Sequence, residues 1–147
     1  MIRKHIHGFT LVEALVALVA LSIGLLGVAA LQLSSLQSNS SAASRSQATL
    51  LAYEIVDRMR ANQTEAIVAG AYDIDFAQTP SGSTVAKNDL IGWRQDLRAT
   101  LGPTATGQIR RNVTGTTTTF VVSIQWSDIT DNGGARAALR FDTETQL

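Results

Sequence analysis

The stretch that decides the fold is FTLVEALVALVALSIGLLGVAALQL, which runs from Phe9 to Leu33. Glu13 is the only charged residue in it. An α-helix of this length would be roughly 37 Å long, which exceeds the roughly 30 Å of hydrocarbon in a bilayer. A chain of 147 residues is too small to surround a helix that is apolar on every side. The stretch is therefore predicted to cross a membrane.

The residues before this stretch, MIRKHIHG, indicate its orientation. They include Arg3 and Lys4 and no acidic residue, and basic residues beside an apolar helix favour the cytoplasmic side. The chain after Leu33 is therefore predicted to lie outside the cytoplasm. An ordinary secretory signal has a shorter apolar region that ends in small residues at its cleavage site. Here the small residue, Gly8, comes before the apolar region.

Small residues form one face of the predicted membrane helix. They are Ala17, Ala20, Gly24 and Gly27. They lie within an arc of about 80° when the helix is viewed along its axis, and Leu18 lies on the other side. Small residues let helix backbones approach closely in lipid, so this face is a candidate for contact with other helices. The alternative is that Ala and Gly are simply common in membrane helices.

The chain from Ser34 to Thr49 is polar and rich in serine, and a flexible linker is one interpretation. However, it contains neither Pro nor Gly, and Leu51, Ile55 and Met59 then recur at the spacing of an amphipathic helix. We therefore predict a single helix from Phe9 to about Asn62. Two helices joined by a serine linker are the alternative.

The remaining residues predict a small head that contains one helix and one sheet. A loop at QTPSGSTVAKN precedes a short helix that Asn88 or Asp89 caps and Gly102-Pro103 ends. The predicted strands are Gln108–Val113, Thr118–Trp126 and Arg136–Thr143. The turns at Thr114-Gly115-Thr116 and Asp131-Asn132-Gly133-Gly134 favour an antiparallel meander that packs on the outer half of the long helix.

Alternation along two strands and one helix predicts the core of this head. The residues expected to face inward are Leu90, Trp93 or Arg94, Leu97, Leu101, Phe120, Val122, Ile124, Trp126, Leu139 and Phe141. Trp93 is interpreted as a core residue rather than as a platform for a ligand.

The composition excludes several classes of function. The chain has 12 basic and 12 acidic residues, so no basic surface for nucleic acid is expected. It has no cysteine, and both histidines, His5 and His7, precede the apolar stretch. We therefore predict no enzyme activity, no cofactor and no metal site. Asp73, Asp75 and Asp89 are a conceivable cation site, but solvated acidic residues in turns are the preferred interpretation because the EF-hand spacing is missing.

The run Gly8-Phe9-Thr10-Leu11-Val12-Glu13 resembles the processing site of type IV prepilins and of the related pseudopilins. The resemblance implies cleavage between Gly8 and Phe9, methylation of the new Phe9 amine, and a helix that packs into a fibre. It also implies that Glu13 pairs with the Phe9 amine of a neighbouring subunit during assembly. Many major pilins carry a disulfide near the C-terminus, and this chain has no cysteine to form one.

Two further runs, Asp57-Arg58-Met59-Arg60-Ala61-Asn62 and Gly70-Ala71-Tyr72, resemble PilV-type minor pilins in particular. The implied fold is α+β, with a long N-terminal helix whose amphipathic outer half packs on a small antiparallel sheet of about three strands. Arg58 and Arg60 are then candidates for contact with a neighbouring subunit. A solvated helix end, whose cations complement the helix dipole, is the alternative.

Four parts are therefore expected: a leader (1–8), a transmembrane segment (9–33), the outer half of the same helix (34–62) and a head (63–147). The expected protein is a minor pilin in the bacterial inner membrane, with its head in the periplasm, that later enters a type IV pilus for motility or adhesion. Its expected partners are prepilin peptidase, minor and major pilins and membrane lipid, but not nucleic acid. A minor pseudopilin of a type II secretion system is the first alternative, and an adhesin or binding module is the second.

Overall fold

The computed structural model describes residues 10–129 and 136–147. The elements are α1 (Leu11–Ala61), α2 (Gln63–Ile67), α3 (Val85–Leu101), β1 (Thr106–Thr114), β2 (Thr117–Ile129) and β3 (Arg136–Gln146). The three strands form an antiparallel sheet in the order β1-β2-β3. The α+β prediction of a long N-terminal helix and a three-stranded antiparallel sheet is confirmed. The chain divides into two compact units between Ser38 and Asn39.

The first unit is the N-terminal part of α1. Thr10 precedes the helix, and its Oγ1 accepts a hydrogen bond of 3.2 Å from the backbone N–H of Glu13. A threonine at this position satisfies one of the N–H groups that the first turn leaves unpaired. The helix includes an 18-residue window with a mean hydropathy of 2.6, none of which is buried in the described chain. Its length and composition are sufficient to cross a membrane.

The serine-rich stretch is helical throughout residues 34–49. The hydroxyl of Ser46 donates to the carbonyl of Ala42 at 3.1 Å, and that of Thr49 donates to the carbonyl of Arg45 at 2.9 Å. These side chains satisfy their polar groups on the preceding turn, so they do not draw the backbone out of the helix. The alternative of two helices joined by a flexible linker is wrong.

The second unit has one hydrophobic core, formed by the outer half of α1, α3 and one face of the sheet. The buried residues of α1 are Ala48, Leu51, Ala52, Ile55, Val56 and Met59. The predicted inward residues of β2, which are Phe120, Val122, Ile124 and Trp126, are at most 3% exposed. Leu139 and Phe141 of β3 are partly buried against the same core. The predicted packing of the sheet on the outer half of the long helix is therefore confirmed.

One prediction about the helices is wrong, and one short helix was not predicted. Helix α3 begins at Val85, because Thr84 is its N-cap and accepts a hydrogen bond of 3.3 Å from the N–H of Lys87. Asn88 and Asp89, which were predicted as caps, lie inside the helix. The short helix α2 follows α1 directly and was not predicted. The predicted end of α3 is confirmed, since the helix stops at Leu101 and Gly102 has a φ of 104°.

The strands are longer than predicted at most of their ends, and their meander is confirmed. Thr114 pairs with Thr117 across a two-residue turn in which Gly115 has a φ of 62°. Tight hairpin turns require positive φ, which glycine adopts without steric cost. The predicted turn at Asp131-Asn132-Gly133-Gly134 lies outside the described residues.

Candidate functional site

The predicted processing and assembly residues all lie at the N-terminal end of the chain. Gly8 and Phe9 are outside the described residues. Glu13 is exposed in the first turn of α1, where a carboxylate interacts favourably with the positive end of the helix dipole. Thr10 and Glu13 occupy the two positions of a capping box, and the Thr10 bond to the Glu13 N–H is present. Thr10 was not predicted as a cap, although the T-x-x-E spacing before an apolar run indicates it.

The small-residue face on α1 has open space beside it. Ala17, Ala20, Gly24 and Gly27 are all exposed. A Cβ added at Gly24 or Gly27 would meet no described atom within 4 Å. Leu18 is exposed as well, so contact within the described chain does not distinguish the two sides of the helix. The assignment of the small face to helix contact therefore stays a prediction.

Trp93 joins three elements of the head. Its side chain is fully buried, and its indole Nε1 donates to the carbonyl oxygen of Leu51 on α1 at 2.9 Å. The far edge of its ring lies so close to Gly107 on β1 that an added Cβ would overlap the ring. The prediction that Trp93 is a core residue is confirmed.

A second polar contact ties the end of α1 to the start of α3. The hydroxyl of Tyr72 is buried, donates to the Asp89 carboxylate at 2.6 Å and accepts from the Asn62 amide at 3.3 Å. Arg58 donates to the backbone carbonyl of Asp89 at 3.2 Å. Burial, followed by the hydrogen bond to Asp89, raises the pKa of Tyr72 to about 12. This arrangement holds the Gly70-Ala71-Tyr72 turn against both helices.

Arg94 holds the next segment of the loop against β1. It is 4% exposed, and its guanidinium donates to three backbone carbonyls, those of Asp75, Gln78 and Gly107. The distances to the Asp75 and Gly107 oxygens are both 2.6 Å. Burial lowers the pKa of this arginine from its ordinary value. The sequence placed either Trp93 or Arg94 in the core, and the structure buries both.

The acidic residues considered as a cation site do not share one. The Asp73 carboxylate lies 3.7 Å from the Arg111 guanidinium, the Asp75 carboxylate accepts from Gln108, and Asp89 accepts from Tyr72. Each carboxylate therefore has its own partner, which is an ion pair for Asp73 and a hydrogen bond for Asp75 and Asp89. The described residues contain no group of three or more side chains placed to hold a metal ion. Asp73 and Asp75 are exposed, separate acidic residues of the loop, as the preferred interpretation predicted. Asp89 differs from it, because it lies inside α3, is partly buried and accepts from Tyr72.

The two arginines at the end of α1 differ in their surroundings. Arg58 is half-buried and forms ion pairs with Glu54 and Asp96 inside the head. Arg60 pairs with Asp57 at 2.9 Å, and its side chain is 51% exposed. Arg60 also donates to the Thr145 hydroxyl at 3.4 Å. Contact of either arginine with a neighbouring subunit stays a prediction.

Two family models match the N-terminal part of the chain. Residues 3–29 match the prokaryotic N-terminal methylation motif, which spans the capped start of α1 and most of its apolar segment. Residues 30–89 match the family described as type IV pilin Tt1218. The two matches run without a gap from residue 3 to residue 89, which is more than half of the chain. The chain belongs to the type IV pilin family. Neither the curated proteins nor the solved structures contain a match.

The second match ends at Asp89, so it covers both sides of the Tyr72 contact that closes the head. Type IV pilins are structural subunits rather than enzymes, and they take part in pilus assembly. The methylation motif and the long apolar helix are consistent with a membrane-anchored pilin. The same motif indicates processing by prepilin peptidase and interaction with other pilins.

Proposed function

We propose that this type IV pilin is a minor pilin that initiates a type IV pilus or forms part of its tip. In this proposal the apolar half of α1 anchors the chain in the inner membrane, and the head lies in the periplasm. The observation that carries the proposal is the methylation motif at residues 3–29, which overlaps a helix able to span a membrane. A retained apolar helix with a processing motif at its start is what a fibre subunit needs.

Processing between Gly8 and Phe9 belongs to the proposal. The cut would expose the Phe9 amine next to Thr10, the residue that caps α1. A methylated amine keeps its positive charge. Each mature subunit would then carry a cation at the start of its helix and the Glu13 carboxylate one turn later.

Glu13 is the proposed register residue for assembly. In an isolated subunit its carboxylate is exposed near the helix start, where the dipole and the bilayer surface favour it. Among packed apolar helices the same carboxylate would lose water and would need a cation. The Phe9 amine of a neighbouring subunit is the proposed partner. The open face formed by Ala17, Ala20, Gly24 and Gly27 would allow the close approach of helices that this pairing requires.

The PilV-like runs support a minor role rather than a major one. They supply Arg58, Asn62 and Tyr72, three of the four residues in the contact at Asp89. The chain has no cysteine, so this contact closes the head where a disulfide cannot. The position of the subunit in the fibre follows from the resemblance and is part of the proposal.

Intact-mass analysis of the chain from membranes of a host with active prepilin peptidase tests the proposal. The expected mass corresponds to loss of residues 1–8 and addition of one methyl group. Replacing Gly8 with a bulky residue, as in Gly8→Leu, is expected to leave the full-length chain in the membrane. Detection of only the full-length chain with Gly8 intact would contradict the proposal.

The same host separates a pilus subunit from a pseudopilin of a type II secretion system. Both would show the processed mass, because both share the anchor and the processing site. A minor pilin is expected in pili sheared from the cell surface. A processed chain that stays with the membrane and is missing from sheared pili would favour the pseudopilin.

A further inference from the structure

The two edges of the sheet differ in how they are protected. At the β1 edge, Ile74 exchanges two backbone hydrogen bonds with Ile109, at 3.0 and 2.9 Å. Arg94 also donates to the Gly107 carbonyl at this edge. At the β3 edge, no described residue pairs with the strand on the side away from β2. Long exposed edges are templates for pairing with another chain, and proteins usually cover or interrupt them.

The hydrogen-bond pattern identifies which groups of β3 face outward. Ile109 points its N–H and C=O toward Ile74, so its neighbours Gln108 and Arg110 point theirs toward β2. Continuing this alternation through both registers directs the backbone groups of Phe141 and Thr143 to β2. Within residues 138–146, the N–H and C=O groups that face the free edge therefore belong to alternate residues, which are Ala138, Arg140, Asp142, Glu144 and Gln146.

The β3 strand is long and has neither a proline nor a bulge, two of the usual devices that prevent pairing. It spans 11 residues, RAALRFDTETQ, and contains neither Pro nor Gly. Its pairing with β2 is continuous from Arg136 to Gln146, so no bulge twists the edge away. Charges of both signs are present, and a strand of mixed charge does not repel an incoming strand as a strand of one sign would.

A second copy of this chain is a poor occupant of this edge. Two antiparallel β3 strands related by a twofold axis would have that axis perpendicular to the sheet. The axis would leave residues 39–61, which pack on the sheet, antiparallel in the two copies. The heads of neighbouring subunits in the proposed fibre run in the same direction, so this pair does not suit it. Head-to-tail repetition would need the β1 edge of the next copy, where Ile109 is already paired with Ile74 and the Gly107 carbonyl accepts from Arg94.

We propose that the free edge of β3 receives an extended segment of a different subunit of the same fibre, which adds a fourth strand to the sheet. This inference rests on the proposed function, because it names another fibre subunit as the partner. Backbone hydrogen bonds to the five outward residues supply the affinity, and side chains on alternate positions supply the specificity.

The side chains of β3 define the chemistry of the partner strand. Leu139 and Phe141 face the core side, so the partner presents apolar residues there. On the other face, Arg140 Nε lies 2.8 Å from Asp142 Oδ1, so these two charges offset each other. Glu144 then gives this face of residues 138–146 its net negative charge. The partner strand is expected to present a basic residue opposite Glu144.

Photo-crosslinking in the membrane fraction of the native host tests this inference. The full chain carries a benzoylphenylalanine probe at Gln146, which is exposed at the edge. The expected product is one adduct of this chain with a different pilus subunit, identified by mass spectrometry. The same probe at Val113, which is 61% exposed on β1, is the position control and is expected to give no such adduct.

Two variants at Glu144 then distinguish edge pairing from mere proximity. Glu144→Pro removes an outward N–H without removing a hydrogen bond to β2, since proline is tolerated at such edge positions. Loss of one backbone hydrogen bond and the added ring are expected to lower the adduct yield roughly fivefold to tenfold. Glu144→Gln keeps the N–H and is expected to retain most of the yield, because exposed ion pairs contribute little.

Several results would overturn the inference: no adduct, an adduct of two copies of this chain, an adduct with a protein that is not a pilus subunit, or equal yields from the Pro and Gln variants. The proposed function is tested separately, by the presence of the wild-type chain in sheared pili. A wild-type chain that enters pili without an edge adduct leaves the proposed function standing and overturns only this inference.

Discussion

The indole Nε1 of Trp93 on α3 donates a hydrogen bond of 2.9 Å to the backbone carbonyl of Leu51 on α1. This bond fixes the position of α3 on the long helix, and the ring then fills the space up to Gly107 on β1. The head has no disulfide, so contacts of this kind must hold its layers together.

Replacing Trp93 with phenylalanine is expected to destabilise the head by about 2 kcal/mol, through loss of the hydrogen bond and of part of the buried ring. Hydrogen exchange of the β2 amides in the full chain measures this free energy. Trp126→Phe is the matched control. Trp126 is 3% exposed, and its Nε1 has no hydrogen-bond partner among the described residues. A cost for Trp126→Phe equal to that for Trp93→Phe would contradict the role given to the Leu51 bond.

Gly107→Ala is expected to destabilise the head by about 1 to 3 kcal/mol, because the new methyl group overlaps the Trp93 ring. The same exchange measurement detects it. In a Trp93→Leu background the ring is absent, so Gly107→Ala is expected to cost much less. If the free-energy costs of Gly107→Ala and Trp93→Leu simply add in the double variant, the glycine is needed for a reason other than the Trp93 ring.

The sequence predicted the long helix, the meander and most of the core because these depend on periodicity. Phe120, Val122, Ile124 and Trp126 alternate along one strand, and one buried face explains that alternation. The start of α3 was missed because Thr84 stands in a run of small polar residues that also suits a loop. Asn88 and Asp89 are also suitable caps by residue type. Only the backbone conformation in the folded chain decides between them and Thr84.

The contacts that close the head were not predictable in the same way. Arg94 donates to carbonyls of residues 75, 78 and 107, and any residue offers a carbonyl, so no side-chain pattern marks these partners. The pairing of Ile74 with Ile109 likewise joins a loop residue to a strand 35 positions later. By contrast, Thr10 was predictable as a cap, because the T-x-x-E spacing that it shares with Glu13 is visible in the sequence.

The Tyr72 hydroxyl predicts a loss of stability at high pH. Its pKa in the folded chain is about 12, against an ordinary value of 10.0. The raised pKa means that the folded state holds this proton more tightly than the unfolded state does. The stability that the protonated Tyr72 hydroxyl contributes is therefore fully present below about pH 10 and is lost between pH 10 and 12. Tyr72→Phe is expected to flatten the decline of the melting temperature across this range. An unchanged slope in the variant would contradict the assignment of the titration to Tyr72.

The small face on α1 predicts unequal effects of substitutions in the apolar segment. Gly24→Leu is expected to insert normally into the membrane, because it raises apolarity, but to reduce recovery in sheared pili by blocking close helix approach. Leu18→Ala, on the opposite side, is the control and is expected to change recovery much less. Equal recovery of the two variants, measured by immunoblot against the membrane fraction, would refute the assignment of the face.

Recovery of Glu13 variants in sheared pili tests most directly the proposal that this type IV pilin enters a fibre through Glu13. Glu13→Val removes a charge that is costly in lipid, by about 2.5 to 3.5 kcal/mol at the centre of a membrane helix and less near its end. The variant is therefore expected to insert and be processed normally but to be depleted from sheared pili, while Glu13→Asp retains part of the wild-type recovery. Recovery of processed Glu13→Val in sheared pili at the wild-type level would contradict the account.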